Sequence, residues 1–552
     1  MSTSDKKTMS KGLTRRDALK LSGLALGGLA FTGSAGKAIA ATSKYGAGNP
    51  NAPLDSFYPT HNDTQRYTYF DQLKPITPWG KDIKGNLTGT KLEPDEMRIT
   101  FMGSAIPMAR RAQAEMSIFV EVGWDKVKQQ PLDQFIFDFG CGVSANYQAC
   151  GVGYGRMDKI FINHLHGDHV SDLIHAYGFG NGGDRKSPLF VWGNKPSGVP
   201  NPGKNPPVTN PNNYPDTPDY YDDGVQAFCT HLREALRWQT ESQAFQTSAY
   251  ETYPSLAEIA ADWGLPYVPA PAGDDPPNDA NALIPIGLDW WKTGLDDEGK
   301  PTGDNIAYNN DTTGSKVLHY PVIHCRKGSM GYKLEWTPPG AQEPLTMIYS
   351  SDTKPEWNSI YHAINKDEDG NARGVDVFIH EMVPPAEVWA MKNMGLTEPG
   401  SGEMWDKTVQ GMIDVQNSSH TPQGAFGYML SQMDPRPRLP VVTHFPVADD
   451  TVACALKSIQ AHCPDIKKLG DQLVWSFDLM VLRVFPDRIE QRRAEVNDFS
   501  FNPPIPLSDE EMYAPKYHTE DGKRDPFFQI DREAEIPSTE EGGEETYRKD
   551  GY

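Results

Sequence analysis

Asn163-His164-Leu165-His166-Gly167-Asp168-His169 is the most informative stretch of this chain. It places three imidazoles and one carboxylate within six residues, directly after the apolar run 159–162. A buried imidazole loses its hydration and therefore needs a hydrogen-bond or metal partner. One bound cation can be that partner for several imidazoles at once. The stretch therefore predicts a metal site at the point where a buried strand turns into a loop.

The spacing of these ligands predicts two ions. Alternate side chains of an extended segment point the same way, so His164 and His166 are expected to hold one ion. Gly167 lets the chain turn, which aims Asp168 and His169 at a second ion. Nitrogen and carboxylate ligands without cysteine favour zinc, with manganese and iron as the alternatives. A surface loop that happens to be rich in histidine is the competing interpretation.

Other parts of the chain must complete two coordination spheres. Four more polar residues end short apolar runs, as residues of α/β sites do: they are His324, Asp352, His380 (with Glu381 beside it) and His444. His420 is instead expected to begin a helix over 423–432, with Thr421 or Ser419 as its cap. Any one of these histidines alone is more often structural, but their ordered recurrence favours a shared site.

The ordered motifs resemble the metallo-β-lactamase superfamily, and within it the ribonuclease Z-like branch. In chain order the motifs are 99–107 with Arg110-Arg111, 135–140, 163–169, His324 with Gly331-Tyr332, 351–353, 379–381, His420-Thr421 and 443–445. They cover roughly 97–182 and 318–485. The resemblance implies an α/β fold, an αββα sandwich of two mixed β-sheets flanked by helices, with a large insertion and extended termini.

The resemblance also implies a role for each ligand. One metal would be held by His164, His166 and His324, and the other by Asp168, His169 and His444. Asp352 would bridge the two ions, and Asp168 would also belong to the catalytic set. Such a metal pair shares a hydroxide that attacks an ester. His420 would be the proton donor or transition-state stabiliser, held by the loop of His380 and Glu381.

The N-terminus has the pattern of an export signal. Arg15-Arg16 precedes an apolar stretch over 21–31, and Ala38-Ile39-Ala40 follows it. This pattern is typical of a twin-arginine signal peptide cut after Ala40, which predicts a periplasmic or secreted protein and the twin-arginine machinery as a partner. The alternative is a membrane anchor, but about 11 apolar residues are too few to span a bilayer stably. The twin-arginine route carries folded proteins, so the metals can be loaded before export.

The remaining chain divides by composition. We expect an extended arm over 41–96, a hydrolase domain over 97–485 and an acidic extension over 486–552. An insertion over 183–317 is expected to cap the site, with helical spacing over 223–238 and 252–263. Its tryptophans, Trp238, Trp290 and Trp291, either line a pocket or pack the insertion onto the core.

Cysteine is sparse, with six residues in 552. That number does not make a disulfide scaffold, although one bridge is left open, Cys141–Cys150 or Cys454–Cys463. Cys325, beside His324, is expected to be a small buried residue rather than a ligand.

The charge of the chain argues against tRNA processing. Acidic residues outnumber basic ones by 74 to 52, a net charge of −22, whereas nucleic-acid binding depends on neutralising phosphates. The family's tRNA-binding arm usually lies between His324 and Asp352, and 352 − 324 = 28 residues leave no room for one. Export also separates the protein from tRNA precursors. We therefore expect no nucleic-acid partner.

The sequence thus predicts an exported binuclear metal hydrolase of a small-molecule ester, most of all a phosphodiester. Sulfatase, carboxylesterase and lactonase activities on the same scaffold are the alternatives, as is a protein that binds metal without catalysis. An oxygen-reducing or sulfur-oxidising protein would require iron. Some exported members of this branch are associated with guanitoxin biosynthesis, a weak analogy because fold does not determine substrate. Relatives are often dimers, but the arm and insertion lie in a position to block that surface, so the oligomeric state is left open.

Overall fold

The computed structural model describes residues 73–82, 84–107, 113–200, 221–242, 252–290, 305–367, 369–446, 452–466 and 472–496. The expected signal peptide, Arg110-Arg111, Trp291 and most of the two terminal extensions lie outside the described residues, as does the side chain of Cys454.

Nine strands form the first sheet. In spatial order they are β1 (Lys74–Ile76), β18 (Ile489–Ala494), β17 (Met480–Val484), β4 (Met97–Gly103), β5 (Ser117–Val122), β6 (Asp133–Phe137), β7 (Lys159–Phe161), β8 (Leu189–Asn194) and β9 (Leu283–Leu288). Strands β6 to β9 run parallel to one another. Strands β17, β4, β5 and β6 pair antiparallel in that order. The sheet is therefore mixed.

Seven strands form the second sheet. In spatial order they are β10 (Ile306–Asn310), β11 (Ser315–Pro321), β12 (Met330–Trp336), β13 (Leu345–Tyr349), β14 (Val377–Glu381), β15 (Leu439–Thr443) and β16 (Val474–Trp475). The first four pair antiparallel, and β13 to β16 run parallel. A short ribbon joins β2 (Gly80–Lys81) to β3 (Leu87–Thr88).

In the described residues the helices are α1 (Val143–Ala149), α2 (Gly167–Val170), α3 (Leu173–Gly180), α4 (Val225–Ala235), α5 (Arg237–Ser242), α6 (Leu256–Asp262), α7 (Trp357–Ile364), α8 (Ala386–Met394), α9 (Glu403–Ser419), α10 (Ala425–Ser431) and α11 (Val452–His462). A 3₁₀ turn covers Tyr154–Arg156.

Alternate side chains along each strand face either the core between the two sheets or the helices on the outer face. In β5, Ile118 and Val120 face the core between the sheets, whereas Phe119 packs with α1, α3 and α4 on the outer face. In β13, Met347 faces the same inner core, whereas Ile348 packs with α7, α10 and α11. Both sheets are thus covered by helices on their outer faces and share one core. The predicted αββα sandwich is confirmed.

Residues 183–317 contribute more to the sheets than a cap would. Strands β8, β9 and β10 and the start of β11 lie in this range. Their apolar runs are buried on both faces, so they are part of the core and not an appendage. In the described part of this range, α4 packs on the outer face of the first sheet and α6 packs against the inner core. Of the tryptophans, Trp290 packs partly against the core and Trp238 is 83% exposed.

The described parts of the two terminal extensions pair with each other. Strand β1, from the N-terminal arm, runs parallel to β18, from the C-terminal extension, and this pair closes one edge of the first sheet. In the described part of the chain, no helix has the length and apolar character needed to cross a membrane.

Parallel strands place the ends of β6, β7, β13, β14 and β15 along one edge of the sandwich, because their carboxyl ends point the same way. The segments that follow these strands carry the histidine stretch and most of the other predicted ligands.

Candidate metal centre

The first group of ligands consists of His164, His166 and His324. Nε2 of His164 and Nε2 of His324 lie 3.1 Å and 3.2 Å from Nδ1 of His166. Burial lowers the pKa of His164 well below its usual value and that of His324 to about 3, and neighbouring histidines add to both shifts. Nδ1 of His324 donates to the carbonyl of Ser419 at 2.7 Å, which leaves Nε2 with its lone pair toward the group. Neutral imidazoles in this arrangement are suited to bind a cation.

The second group consists of Asp168, His169, Asp352 and His444, and all four are buried. Nε2 of His444 lies 3.2 Å from Oδ2 of Asp168, and Nε2 of His169 lies 3.4 Å from the same oxygen. Burial works against a charged imidazole, but the nearby carboxylates outweigh it and raise the pKa of His444 to about 10. The carboxylates of Asp168 and Asp352 therefore favour a positive charge within the second group.

Asp352 joins the two groups. Its Oδ2 lies 3.4 Å from Nε2 of His444 in the second group and 3.9 Å from Nε2 of His324 in the first. Its Oδ1 lies 3.5 Å from Nε2 of His169. A carboxylate in this position can contribute one oxygen to each of two ions, which is the bridging arrangement implied by the resemblance.

Two buried polar atoms without a hydrogen-bond partner bear on whether cations fit between the ligand groups. Among the described residues, Nε2 of His169 and Oδ1 of Asp352 are buried and have no hydrogen-bond partner, although they face each other. A buried polar atom left in this state costs free energy, and a cation between the two atoms removes that cost. The residues fit a pair of divalent cations, and all seven predicted ligands are brought together.

Three residues that follow the ends of strands have left-handed backbone conformations at the site. Asp138, Ser351 and His444 have φ angles of 59°, 56° and 50°, which non-glycine residues adopt rarely. Such conformations cost about 1–3 kcal/mol each and are found mainly at functional sites. Here they follow β6, β13 and β15. Ser351 directly precedes the candidate ligand Asp352, and His444 is itself a candidate ligand.

Asp138 is a functional residue to which sequence reasoning assigned no role. Its Oδ2 accepts from Nδ1 of His169 at 2.7 Å and from the hydroxyl of Tyr349 at 2.8 Å. Its Oδ1 accepts from the backbone N–H of Asn163 at 2.9 Å. The signal was present in the motif 135–140, where an aspartate follows a buried strand and precedes the histidine stretch.

Glu381 and His420 form a buried pair beside the two groups of candidate ligands. Nδ1 of His420 lies 2.9 Å from Oε2 of Glu381, and the N–H of Thr353 donates to the other oxygen at 2.6 Å. Burial lowers the pKa of His420, but Glu381 outweighs it, so the net shift is upward. The hydrogen bond at Nδ1 leaves Nε2 of His420 available to a substrate. Its ring also lies edge-on to Trp389, at 5.9 Å, which the sequence did not indicate.

His380 lies within β14 and not after it, as the sequence led us to expect. Nε2 of His380 is 2.9 Å from Oγ1 of Thr421, and Nδ1 is 2.5 Å from Oγ of Ser350. Its ring stacks on Phe378 and Phe426, and burial lowers its pKa to about 3. These contacts position the segment next to His420 and do not direct the imidazole at the cations.

The helix expected after His420 begins later than predicted. His420 terminates α9, and α10 begins at Ala425 after Gly424, whose φ is 83°. Neither predicted cap is used, because Oγ1 of Thr421 donates to the carbonyl of Thr353 and Oγ of Ser419 donates to that of Val415. The predicted caps are therefore wrong, although the helix exists.

The cysteines differ from expectation at one position. Cys325 is exposed, not buried, and its sulfur lies within 4.8 Å of ligand atoms of His324 and His420. The cause is the turn after β11, which also exposes the residues on either side of His324. Cys141 and Cys150 are free thiols, so the first of the two suggested bridges is absent.

Two groups of nitrogen and carboxylate ligands at the strand ends of an αββα sandwich define the class of metallo-β-lactamase-fold proteins. No family model matches the chain. Ribonuclease Z from Halorubrum lacusprofundi is 33% identical over 100 residues, 17% of this chain and 28% of that protein. Ribonuclease Z from Methanothermobacter thermautotrophicus is 31% identical over 108 residues, 19% of this chain and 30% of that protein. The chain thus spans less than a third of the length of these curated relatives.

Two solved structures are similar at low identity. The metallo-β-lactamase fold protein YhfI from Bacillus subtilis has a TM-score of 0.38 and 12% identity, covering 71% of this chain and 100% of that one. The short form of human tRNase Z has a TM-score of 0.31 and 14% identity, covering 70% and 99%. Both scores are below 0.5, so the fold assignment rests on the sheets and helices described above. The segments matched in the ribonuclease Z relatives and the observed fold are both similar to those of the metallo-β-lactamase superfamily, in its ribonuclease Z-like branch.

Proposed function

We propose that this protein is an exported, binuclear metal-dependent hydrolase that cleaves the ester bond of a small molecule, a phosphodiester above all. The observation that carries the proposal is the convergence of seven ligand residues in two groups that share Asp352. The pair of Glu381 and His420 lies directly beside them. Ligands for two ions next to a buried proton-carrying group are the requirements of metal-assisted ester hydrolysis.

Two divalent cations, when bound, would lower the pKa of water and offset charge that develops on the ester oxygens. His164, His166 and His324 would hold one cation, and Asp168, His169 and His444 the other. Asp352 would contact both. The five imidazoles and two carboxylates among these seven ligands suit zinc, with manganese or iron as alternatives.

His420 would carry the proton for the leaving oxygen. Glu381 holds Nδ1–H of the imidazole, which fixes the ring and leaves Nε2 as the atom that meets the substrate. A positioned acid of this kind typically contributes about 10²–10⁴-fold to the rate. Burial of Glu381 keeps water away from the pair and strengthens the hydrogen bond between them.

RNA cleavage is a second candidate, because the matched relatives are named ribonucleases. The net charge of −22 argues against it, since affinity for nucleic acid comes mainly from neutralised phosphates. A small phosphodiester retains the same two-metal chemistry without that requirement.

Export is a separate part of the proposal. It is supported by Arg15-Arg16, the apolar stretch 21–31 and the small residues that end at Ala40. Replacement of both arginines by lysine is expected to retain the protein in the cytoplasm, whereas the unchanged chain reaches the periplasm and begins at residue 41. Cell fractionation and N-terminal mass spectrometry measure both. Equal export of the two forms would contradict the assignment.

A substrate panel and metal analysis test the catalytic proposal. The panel comprises a bis-aryl phosphodiester, an aryl phosphomonoester, an aryl sulfate, a carboxylic ester, a lactone and a tRNA precursor, each with protein loaded with zinc, manganese or iron. We expect two ions per chain and turnover of the phosphodiester, both reduced in Asp168→Ala. A wild type that binds no metal, or an Asp168→Ala variant as active as wild type, would overturn the proposal and favour a non-catalytic protein.

A further inference from the structure

The turn after β11 carries a thiol that the proposed hydrolysis does not use. Cys325 directly follows the candidate ligand His324 and is exposed to solvent. Its neighbours in the chain, His324 and Arg326, both line a cavity of about 380 Å³. A small ion can therefore reach Cys325 from the solvent, whereas the two groups of ligands are largely buried.

Two imidazoles lie close to this thiol. Sγ of Cys325 and one ring nitrogen each of His324 and His420 all lie within 4.8 Å of one another. The ring centroids of the two histidines are also 4.8 Å apart. Thiolate sulfur and imidazole nitrogen together bind zinc, and sulfur adds a preference for softer cations that carboxylates lack. The three atoms are therefore arranged as the ligands of a cation.

His420 has one nitrogen left for such a cation. Nδ1 is held by Oε2 of Glu381 at 2.9 Å, and among the described residues Nε2 has no hydrogen-bond partner. His420 is only 8% exposed, so Nε2 has little access to water. A buried ring nitrogen in this state favours a bound ligand.

Buried Thr353 connects the turn after β11 with the residues that hold His420. Its Oγ1 accepts from the N–H of Ile323 at 3.0 Å, and its own N–H donates to Oε1 of Glu381 at 2.6 Å. Its carbonyl accepts from Oγ1 of Thr421, the residue after His420, at 2.7 Å. These hydrogen bonds hold the thiol and the imidazole at a fixed separation.

The charges around the thiol favour a cation. The carboxylates of Asp352 and Glu381 both act on the sulfur of Cys325. Arg326, which follows Cys325, is paired with Asp223, with Nη2 2.6 Å from Oδ2. A cation on the sulfur is therefore attracted by two carboxylates, and the paired guanidinium repels it little.

A cation at this position competes with the first ligand group. Nδ1 of His324 donates to the carbonyl of Ser419 at 2.7 Å, so His324 has only Nε2 to give to a cation. Two cations on either side of that ring would also repel each other. A cation bound to Cys325 therefore takes His324 away from His164 and His166.

We propose that Cys325, His324 and His420 form an inhibitory position for a soft cation, of the kind represented by Cd²⁺. The inference rests on the proposed hydrolase function, because inhibition follows from loss of the first ion and from occupation of Nε2 of His420. The thiol releases its proton to solvent as the cation binds. Zinc, which binds imidazole and carboxylate well, remains in the first group next to Asp352.

Titration of the zinc-loaded protein with cadmium tests the inference. The ultraviolet charge-transfer band of a cadmium–thiolate bond reports binding, and elemental analysis after gel filtration counts both metals. We expect one cadmium to enter and about one zinc to leave. Cys325→Ser is expected to lose the band and to bind cadmium at least about tenfold more weakly, since even residues behind a metal ligand contribute about 10–100-fold.

Two further variants complete the design. His420→Ala retains the thiol and is expected to weaken cadmium binding by a similar factor, which a surface thiol acting alone would not show. Cys141→Ser removes a free thiol in another part of the fold, and this matched control is expected to titrate like wild type. Zinc content before cadmium is added shows whether each variant retains its metal centre.

The outcomes separate this inference from the proposed function. A band of equal strength in Cys325→Ser, unchanged cadmium affinity in His420→Ala, or retention of both zinc ions would overturn the new position. Phosphodiester turnover that falls as the band grows, and falls less in Cys325→Ser, supports inhibition, whereas turnover indifferent to bound cadmium would overturn it. Cadmium binding as expected, with no hydrolysis of any ester by the zinc-loaded protein, would support the position and overturn the proposed catalysis.

Discussion

Nδ1 of His169 donates a hydrogen bond of 2.7 Å to Oδ2 of Asp138, a buried residue with a φ of 59°. The bond fixes the tautomer of His169 and turns Nε2 toward Asp168 and Asp352. The orientation of one ligand thus depends on a residue 31 positions earlier in the chain.

Asp138→Asn is expected to weaken binding of the second zinc ion about 10–100-fold, as loss of a carboxylate behind a histidine ligand usually does. Asparagine tolerates the left-handed backbone, so the fold is retained. Titration against a competing chelator measures the dissociation constant. Asp487→Asn, at an exposed turn, is the control, and equal dissociation constants for both variants would contradict the role of Asp138.

Asp352→Asn is expected to lower occupancy of both metal positions, because its two oxygens face both ligand groups. His166→Ala is expected to affect the first position only, so that the content falls from two ions to roughly one. Elemental analysis after gel filtration counts the ions per chain. The same residual content in both variants would argue against a bridging carboxylate.

His420→Ala is expected to lower kcat by about 10²–10⁴-fold for a diester with an alkoxide leaving group, which needs a proton. The loss should be much smaller for a nitrophenolate, which leaves without one. Glu381→Gln should show the same dependence in weaker form, because it misorients the imidazole without removing it. Metal content is measured alongside. An equal loss for both leaving groups would exclude proton donation by His420.

Glu356 predicts a pH dependence of stability that is separate from the site. Its carboxylate caps α7, and burial, opposed by hydrogen bonds from Ser359 and Asn358, raises its pKa from 4.5 to about 7. The folded protein therefore binds more protons than the unfolded chain between these values. The free energy of unfolding contributed by Glu356 falls as pH rises through this window, by up to about 3 kcal/mol.

Glu356→Gln removes this titration, so the difference in unfolding free energy between variant and wild type should shift in favour of the variant from pH 4.5 to pH 8. Denaturant unfolding at several pH values measures the slope. Glu387→Gln, an exposed glutamate of α8, should keep the wild-type slope. Parallel curves for wild type and Glu356→Gln would show that the buried carboxyl does not titrate in this range.

The local sequence pattern was sufficient to predict the metal ligands. His164, His166, Asp168 and His169 are close in the chain, and an apolar strand before them positions them together, so spacing alone predicts a metal site. The ligands at the ends of β11, β13 and β15 were found for the same reason. The layer architecture was implied by the resemblance of the ordered motifs to a known superfamily.

Distant contacts required the tertiary structure. Asp138 meets His169 across 31 residues and Tyr349 across 211, and no periodicity indicates such pairs. The exposure of Cys325, the unused caps at Ser419 and Thr421, and the strands within 183–317 depend on how separate segments pack. The chemistry of the ligands could be predicted from the sequence, since it arises from local residue type and spacing. The class of fold was implied by the resemblance that the ordered motifs carry. The tertiary structure was needed to show that Asp138 orients His169 and which residues border the cavity, since both depend on distances between remote parts of the chain.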